Sequence, residues 1–357
     1  VTEDKYRRVV ISRHGGPEVL EVVDEDLPTP AAGQIRVRTL ASGVSAHDVM
    51  LRSAGFPGFP KPPFTPGVDV VGVVDAIGDG VSTVEMGQTV AALLPAEGGY
   101  AEAVCVPAED AVAVPEGVDP AEAVCVPAED AVAVSEGVDP AEAVCVVANY
   151  ITAYAMLHRG AEVRSRELVL VHGAAGGVGS ALLDLGRLAG LEMYGTASQR
   201  NHELVKSFGA TPMDYRNEDF VERIRELTGD GVDVVFDQIG GARQLWRSYR
   251  ALRKGGRLIW FGVAATSRSG MSVIPASLVT RFLLSLIPDG KRAPMPPDSG
   301  KPKNLYRETL AMLLDHLAAG KIEPVIAARI PLVEAVRAHE LLERGSYAGK
   351  VVLIANT

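Results

Sequence analysis

Residues 168–183 read Leu168-Val169-Leu170-Val171-His172-Gly173-Ala174-Ala175-Gly176-Gly177-Val178-Gly179-Ser180-Ala181-Leu182-Leu183. A short apolar run ends in a glycine-rich turn, and a helical pattern starts at once. Gly173, Gly176 and Gly179 recur at the spacing of a tight strand-to-helix turn. Such a turn lets a diphosphate rest on the helix N-terminus, where free N–H groups and the helix dipole favour negative charge. A glycine triplet by itself often serves packing alone. Here a strand pattern precedes it and a helix pattern follows, which is the context that turns the motif into a dinucleotide site.

Downstream the pattern alternates. Strands are expected at Leu168–Val171, Leu191–Ala197, Thr211–Asp214, Val232–Phe236 and Arg257–Val263, and helices at Ser180–Ala189, Asn201–Phe208, Glu218–Thr228 and Ala242–Leu252. That alternation implies parallel strands with right-handed crossovers, hence a Rossmann-type doubly wound α/β sheet. Its ligand lies beyond the carboxyl ends of the strands, so the residues to watch are Ala197–Asn201, Tyr215–Arg216, Gln238–Gly240 and Gly262–Ala264. An NAD site would place Asp or Glu after the second strand for the ribose 2′-hydroxyl. This chain has Gly195-Thr196-Ala197-Ser198-Gln199-Arg200 there. With no carboxylate to repel a 2′-phosphate, and Ser198 and Arg200 able to bind one, the expected cofactor is NADPH. The plainer alternative leaves Arg200 as a solvated residue at a helix start.

Upstream, residues 7–12, 19–24 and 34–43 read as short strands between Gly- and Pro-rich turns, followed by a short helix at Ala46–Ala54. Strand character resumes at Gly67–Ile77 and Gln88–Leu94. Short strands so punctuated suggest a small, curled, mostly antiparallel domain that walls a substrate cleft. A repeat follows. Ala101–Pro120 and Ala121–Pro140 are identical except that Pro115 becomes Ser135, and a third copy starts at Ala141 and diverges at Val147. Two full units are too few for a solenoid. Pro107 after the first Ala-Glu-Ala-Val-Cys-Val predicts a strand at Ala101–Val106. Asp139-Pro140 before the last, with Glu142 placed for a capping box, predicts a helix at Ala141–Val146. The surplus reads as a tandem 20-residue duplication within 101–140, looped out near 116–138 and without function.

The whole-chain numbers set limits. A length of 357 residues suits two domains, and 47% hydrophobic residues supply real cores. The net charge of −10 argues against nucleic acid or an anionic membrane as the main partner. No apolar run reaches membrane-spanning length, and Val1–Val10 is charged with no apolar stretch behind it, unlike a secretory signal. The chain is read as cytoplasmic. Cys105, Cys125 and Cys145 are one cysteine copied with the repeat, and their spacing fits neither a compact zinc pattern nor a disulfide framework.

Several further stretches carry a resemblance: Gly43-Val44-Ser45-Ala46-His47-Asp48, Pro66-Gly67-Val68-Asp69-Val70-Val71-Gly72, Thr152-Ala153-Tyr154, the Gly173–Gly179 turn and Gly349-Lys350-Val351-Val352. With them the chain resembles the medium-chain dehydrogenase/reductase superfamily, in its zinc-free quinone oxidoreductase (zeta-crystallin-like) branch. The resemblance implies a GroES-like, mostly-β catalytic domain at 1–148, a Rossmann NADPH-binding domain at 149–300, and a return to the catalytic domain at 301–357. It implies that Gly173, Ala174, Gly176, Gly177, Val178 and Gly179 hold the diphosphate. Ser198, Arg200 and Tyr215 would surround the 2′-phosphate. Thr152, Ile239, Gly240, Phe261, Gly262 and Val263 would lie beside the nicotinamide, and Lys350 would also serve the cofactor. Zinc-dependent relatives have Cys where Ser45 stands and His-Glu where Val68-Asp69 stand, so no catalytic metal is expected.

Without a metal, an enone or quinone is the easiest acceptor, because charge develops on a remote oxygen that hydrogen-bond donors can stabilise. Candidate catalytic residues are Ser45, Asp48, Arg52 and Asn149, along with the cofactor's own 2′-hydroxyl. A carboxylate in the position of Asp48 also commonly caps the following helix. Toward the C-terminus, Ile274–Ile287 reads as helix, with Leu278, Phe282 and Leu286 suited equally to a core or to a lid. An amphipathic helix is expected at Tyr306–Ala319, then strand Ile330–Val333, helix Glu334–Glu343 and strand Lys350–Ile354. The expected activity is NADPH-dependent reduction of a small-molecule quinone or enone, in a homodimer as the resemblance implies. An enoyl-thioester reductase and a cofactor-binding protein with little turnover are the alternatives.

Overall fold

The computed structural model describes residues 5–53, 60–82, 84–94, 98–108, 112–114, 140–262, 273–298 and 303–355. The chain forms two compact units, one of Val1–Ile151 with Gly300–Thr357 and the other of Thr152–Ser299. Among the described residues no helix is long and apolar enough to cross a membrane.

In the first unit, β1 (Lys5–Ile11) and β2 (Leu20–Asp26) pair antiparallel from Lys5–Asp26 to Ile11–Leu20. The long β3 (Gln34–Val44) pairs antiparallel with β4 (Asp69–Ile77), which pairs with β5 (Thr89–Leu93). The strands β6 (Ala103–Pro107) and β7 (Val112–Val114) add to β3 and β5 respectively. The sequence expectations did not include β7.

The repeated hexapeptide takes both expected conformations. Its first copy contributes to β6, with Cys105 opposite Arg36. Its last copy forms the helix Pro140–Cys145 and continues into a π-helical turn, Val146–Tyr150. The flanks decide: Pro107 cannot continue a helix, whereas Pro140 sits where the missing N–H costs nothing. Cys105 is half-buried, while Cys145 packs inside and burial pushes its thiol up to about 12. The loop expected near 116–138 lies outside the described residues.

The second unit is a five-stranded parallel sheet: β8 (Leu168–His172), β9 (Glu192–Ala197), β10 (Thr211–Asp214), β11 (Val232–Asp237) and β12 (Leu252–Trp260), in the order β10-β9-β8-β11-β12. This is the doubly wound order, reversing between β8 and β11. Leu170, Val235, Leu245 and Leu258 are wholly buried in its core. Two expectations need correction: β12 starts at Leu252 rather than Arg257, and the helix before it ends at Arg250. The register with β11 jumps from Val232–Leu252 to Val234–Arg257, so Lys254-Gly255-Gly256, which reads as a turn, is absorbed as a bulge inside the strand.

The chain then returns to the first unit. Helix Lys303–Ala318 leads to β13 (Ile326–Pro331), helix Ala335–Arg344 and β14 (Lys350–Ile354). There β13 starts four residues before its expected position and runs parallel to β14, which pairs antiparallel with β3. The result is a seven-stranded sheet in the order β13-β14-β3-β4-β5-β7, with β6 on β3. Two apolar cores hold this unit, one around Ile35, Val70 and Val90 and the other around Ile11, Leu51 and Leu353.

Candidate active site

In the second unit β8 ends at His172 and the chain turns at Gly173, whose φ of 65° is left-handed. Gly176 caps the helix Gly177–Leu188 without a side-chain bond. Gly179 allows the helix to press on the turn, since a β-carbon there would stand 2.1 Å from the Gly173 carbonyl oxygen. The first-turn N–H groups of Gly177, Val178 and Gly179 have no partner within the helix, and the positive end of the helix dipole lies with them. This arrangement fits a diphosphate.

The other expected cofactor residues of this unit follow the carboxyl ends of neighbouring strands. Ser198 is buried just after β9, and Arg200 is exposed in the single turn Gln199–Asn201. Tyr215, after β10, is exposed, with the Arg216 guanidinium 5.6 Å from its ring centre. Ile239 and Gly240 follow β11, and Phe261 and Gly262 follow β12. Val263 lies outside the described residues. Together with Gly173, Ala174 and Gly176–Gly179, these residues line one edge of the sheet. Thr152 lies on the helical segment Ile151–Tyr154 instead.

A polar network under this edge escaped the sequence reading. Asp237 Oδ1 accepts from Ile239 N at 2.8 Å and Gly240 N at 3.0 Å. Its Oδ2 accepts from Ser248 Oγ at 2.7 Å, and Ser248 Oγ lies 3.1 Å from His172 Nε2. His172 Nδ1 is 3.0 Å from Thr196 Oγ1, which accepts from Gly173 N at 3.3 Å. Asp237, Ser248, His172 and Thr196 are all buried. From the next residue, Gln238 Nε2 donates to the carbonyls of His172 (3.1 Å) and Gly173 (3.0 Å). The available signal was a polar residue at or next to the end of each of three strands.

In the first unit Ser45 and Asp48 form a capping box at the start of helix Ala46–Ser53. Asp48 Oδ2 accepts from Ser45 N and Ser45 Oγ, both at 2.7 Å, and Asp48 N donates to Ser45 Oγ at 3.4 Å. Asp48 Oδ1 accepts from Gly67 N at 3.0 Å. Burial pushes the Asp48 carboxyl up, while its Ser45 hydrogen bonds pull the other way. Arg52 is buried and pairs with Glu343, and Lys350 is buried against Asp69. Asn149 is half-buried in the Val146–Tyr150 π-turn, a geometry that recurs at functional sites.

A cavity of about 220 Å³ in the second unit is lined by Glu167, Asp233, Arg253 and Arg257. It lies at the amino-terminal ends of β8, β11 and β12, opposite the glycine turn. Arg164, Lys254 and Arg292 line it as well, while Arg257 pairs with Glu167 and Arg253 with Asp233.

Residues 31–116 match the family profile of the alcohol dehydrogenase GroES-like domain, and residues 208–353 that of zinc-binding dehydrogenase. A synaptic vesicle membrane protein VAT-1 homolog of Danio rerio is 30% identical over 98% of this chain and 70% of its own length. The quinone oxidoreductase of Rattus norvegicus is 29% identical over 98% of this chain and 97% of its own. In structure, Escherichia coli quinone oxidoreductase complexed with NADPH superposes with a TM-score of 0.82 at 27% identity, covering 98% of this chain and 99% of that one. The second profile's description implies zinc. Among the described residues, however, no group of three or more His, Cys, Asp or Glu could hold a metal ion. Ser45 is committed to Asp48, and Asp69 to Lys350, so the residues present do not fit zinc. The chain belongs to the medium-chain dehydrogenase/reductase superfamily, in its zinc-free quinone oxidoreductase branch.

Proposed function

We propose that this chain is an NADPH-dependent oxidoreductase that reduces a quinone or an α,β-unsaturated carbonyl compound. The observation that carries the reading is the cradle at Gly173–Gly179, backed by a second strand that is followed by Ser198 and Arg200 rather than by a carboxylate. The NADPH in the Escherichia coli structure and the quinone oxidoreductase names of the relatives support it.

When bound, NADPH supplies the hydride. The N–H groups of Gly177, Val178 and Gly179 hold the diphosphate in the turn that starts at Gly173 and Ala174 and is capped by Gly176. Ser198 and Arg200 bind the 2′-phosphate beside Tyr215. Ile239, Gly240, Phe261, Gly262 and Thr152 flank the nicotinamide. Ser45 and Asn149 are the hydrogen-bond donors we assign to the acceptor oxygen. The Ser45 hydroxyl spends its proton on Asp48, so it donates to substrate only when Asp48 is protonated, a state that burial brings closer. Asn149 is the second donor. We assign Arg52 and Lys350 to their ion pairs rather than to the reaction or the cofactor.

We further propose a cytoplasmic homodimer. Free thiols at Cys105 and Cys145 suit a reducing compartment. Exposed Leu278, Val279, Phe282, Leu283 and Leu286 on and just after one helix suit a covered face, which light scattering would size. The functional test is turnover of NADPH with phenanthrenequinone and with a crotonyl thioester. The reading requires oxidation driven by the quinone. Turnover with the thioester alone would make the chain an enoyl-thioester reductase, and tight NADPH binding with neither would make it a cofactor-binding protein.

A further inference from the structure

The buried residues beneath the cofactor edge form a hydrogen-bonded chain whose direction can be worked out. The carboxylate of Asp237 can only accept, so Ser248 Oγ uses its proton on Asp237 Oδ2 at 2.7 Å. Ser248 can therefore only accept from His172 Nε2, which must carry a proton. Burial pushes the His172 imidazole below its ordinary range, toward the neutral form. A neutral ring protonated at Nε2 leaves Nδ1 as an acceptor, so the Thr196 hydroxyl donates to it. Thr196 Oγ1 then keeps its lone pairs for the Gly173 N–H. At the far end, Asp237 Oδ1 gathers the N–H groups of Ile239 and Gly240. Gln244 Nε2 adds a bond to Asp237 Oδ2 at 3.2 Å.

We propose that Asp237, Ser248, His172 and Thr196 are positioning residues. Their one-way chain ties the glycine turn after β8 to the Ile239–Gly240 turn after β11, and so sets affinity for the diphosphate–nicotinamide half of NADPH. The inference rests on the NADPH reading above. The two turns leave adjacent strands at the point where the sheet order reverses, and a dinucleotide must satisfy both. A slack link would let each turn relax separately and lower affinity, without any lost contact to the ligand.

Two near-isosteric variants test it, Ser248→Ala and Thr196→Val, each titrated with NADPH and with adenosine 2′-monophosphate. The adenosine ligand lacks the diphosphate and nicotinamide. Each variant should weaken NADPH roughly tenfold and leave the adenosine ligand within about twofold. Because both act in one chain, the double variant should cost little more than the worse single. Ser248→Thr, which keeps the hydroxyl, should recover most of the loss. Unchanged NADPH affinity in both single variants would overturn the inference, as would equal weakening of the two ligands or fully additive losses. Failure of the unaltered protein to bind NADPH would instead overturn the coenzyme reading. Should Ser248→Ala not fold, Thr196→Val carries the same comparison.

Discussion

Lys350 Nζ lies 2.5 Å from Asp69 Oδ2, with both side chains buried. Gly43, opposite Val352 across β3 and β14, makes room for them: a β-carbon there would stand 2.2 Å from Lys350 Cε. A buried pair of this kind is costly to break from one side, because the partner is left charged and unsolvated. Lys350→Met should therefore destabilise the fold by about 3–5 kcal/mol, and adding Asp69→Leu should recover most of that. Urea denaturation of the single and double variants checks it. A Lys350→Met loss below about 1 kcal/mol would leave the pair without a structural role.

Coenzyme choice should turn on Arg200. Replacing it with Ala removes the charge-assisted contact to the 2′-phosphate that we propose for it, and the preference for NADPH over NADH should fall roughly tenfold to a hundredfold. Arg200→Glu should reverse the preference. Steady-state kinetics with both coenzymes reads the ratio, and an unchanged ratio in Arg200→Ala would return this residue to the role of a solvated helix-start side chain.

Acid should loosen the first unit. Burial, with added repulsion from Arg52, holds the His339 imidazole down at about 3, whereas an unfolded His titrates near ~6.5. Between those values the unfolded chain binds a proton that the folded chain does not. The contribution is complete above about pH 6.5 and is lost as pH falls, reaching about 3 kcal/mol by about pH 4. Thermal midpoints across this range should fall with pH, and His339→Gln should flatten the slope by about one proton. A slope unchanged in that variant would assign the acid loss to other groups.

The repeated unit should be dispensable. Deleting residues 116–135 rejoins Pro115 to Glu136 and restores a single copy of the 20-residue repeat, leaving β6, β7 and the helix from Pro140 with their native flanks. Activity should persist and the thermal midpoint should move by no more than about 4 °C, the equivalent of about 1 kcal/mol. A deletion that fails to fold would show that the surplus is built into the sheet.

Much of this was legible in the chain because the signals were local. The Gly173–Gly179 spacing, the alternation after it and the prolines flanking each hexapeptide copy all act within a few residues, so β8 to β11 and the strand-or-helix choice could be read directly. Long-range features could not. The β12 bulge looks like a turn until β11 supplies the register that absorbs it. The pairing of Arg52 with Glu343, far along the chain, has no local signal. Neither has that of Lys350 with Asp69. His172, Thr196, Asp237 and Ser248 stand far apart in sequence, and only the strand order brings them into one chain of hydrogen bonds.

The most direct test of the account is fluorescence titration of NADPH into the purified protein, followed by a quinone pulse, alongside Gly179→Val. The unaltered protein should bind NADPH saturably and oxidise it when phenanthrenequinone is added. The variant, whose side chain would meet the Gly173 carbonyl at 2.1 Å already at its β-carbon, should bind at least about a hundredfold more weakly. No saturable NADPH binding by the unaltered protein, or full binding by Gly179→Val, would contradict the claim that the coenzyme sits in the glycine turn.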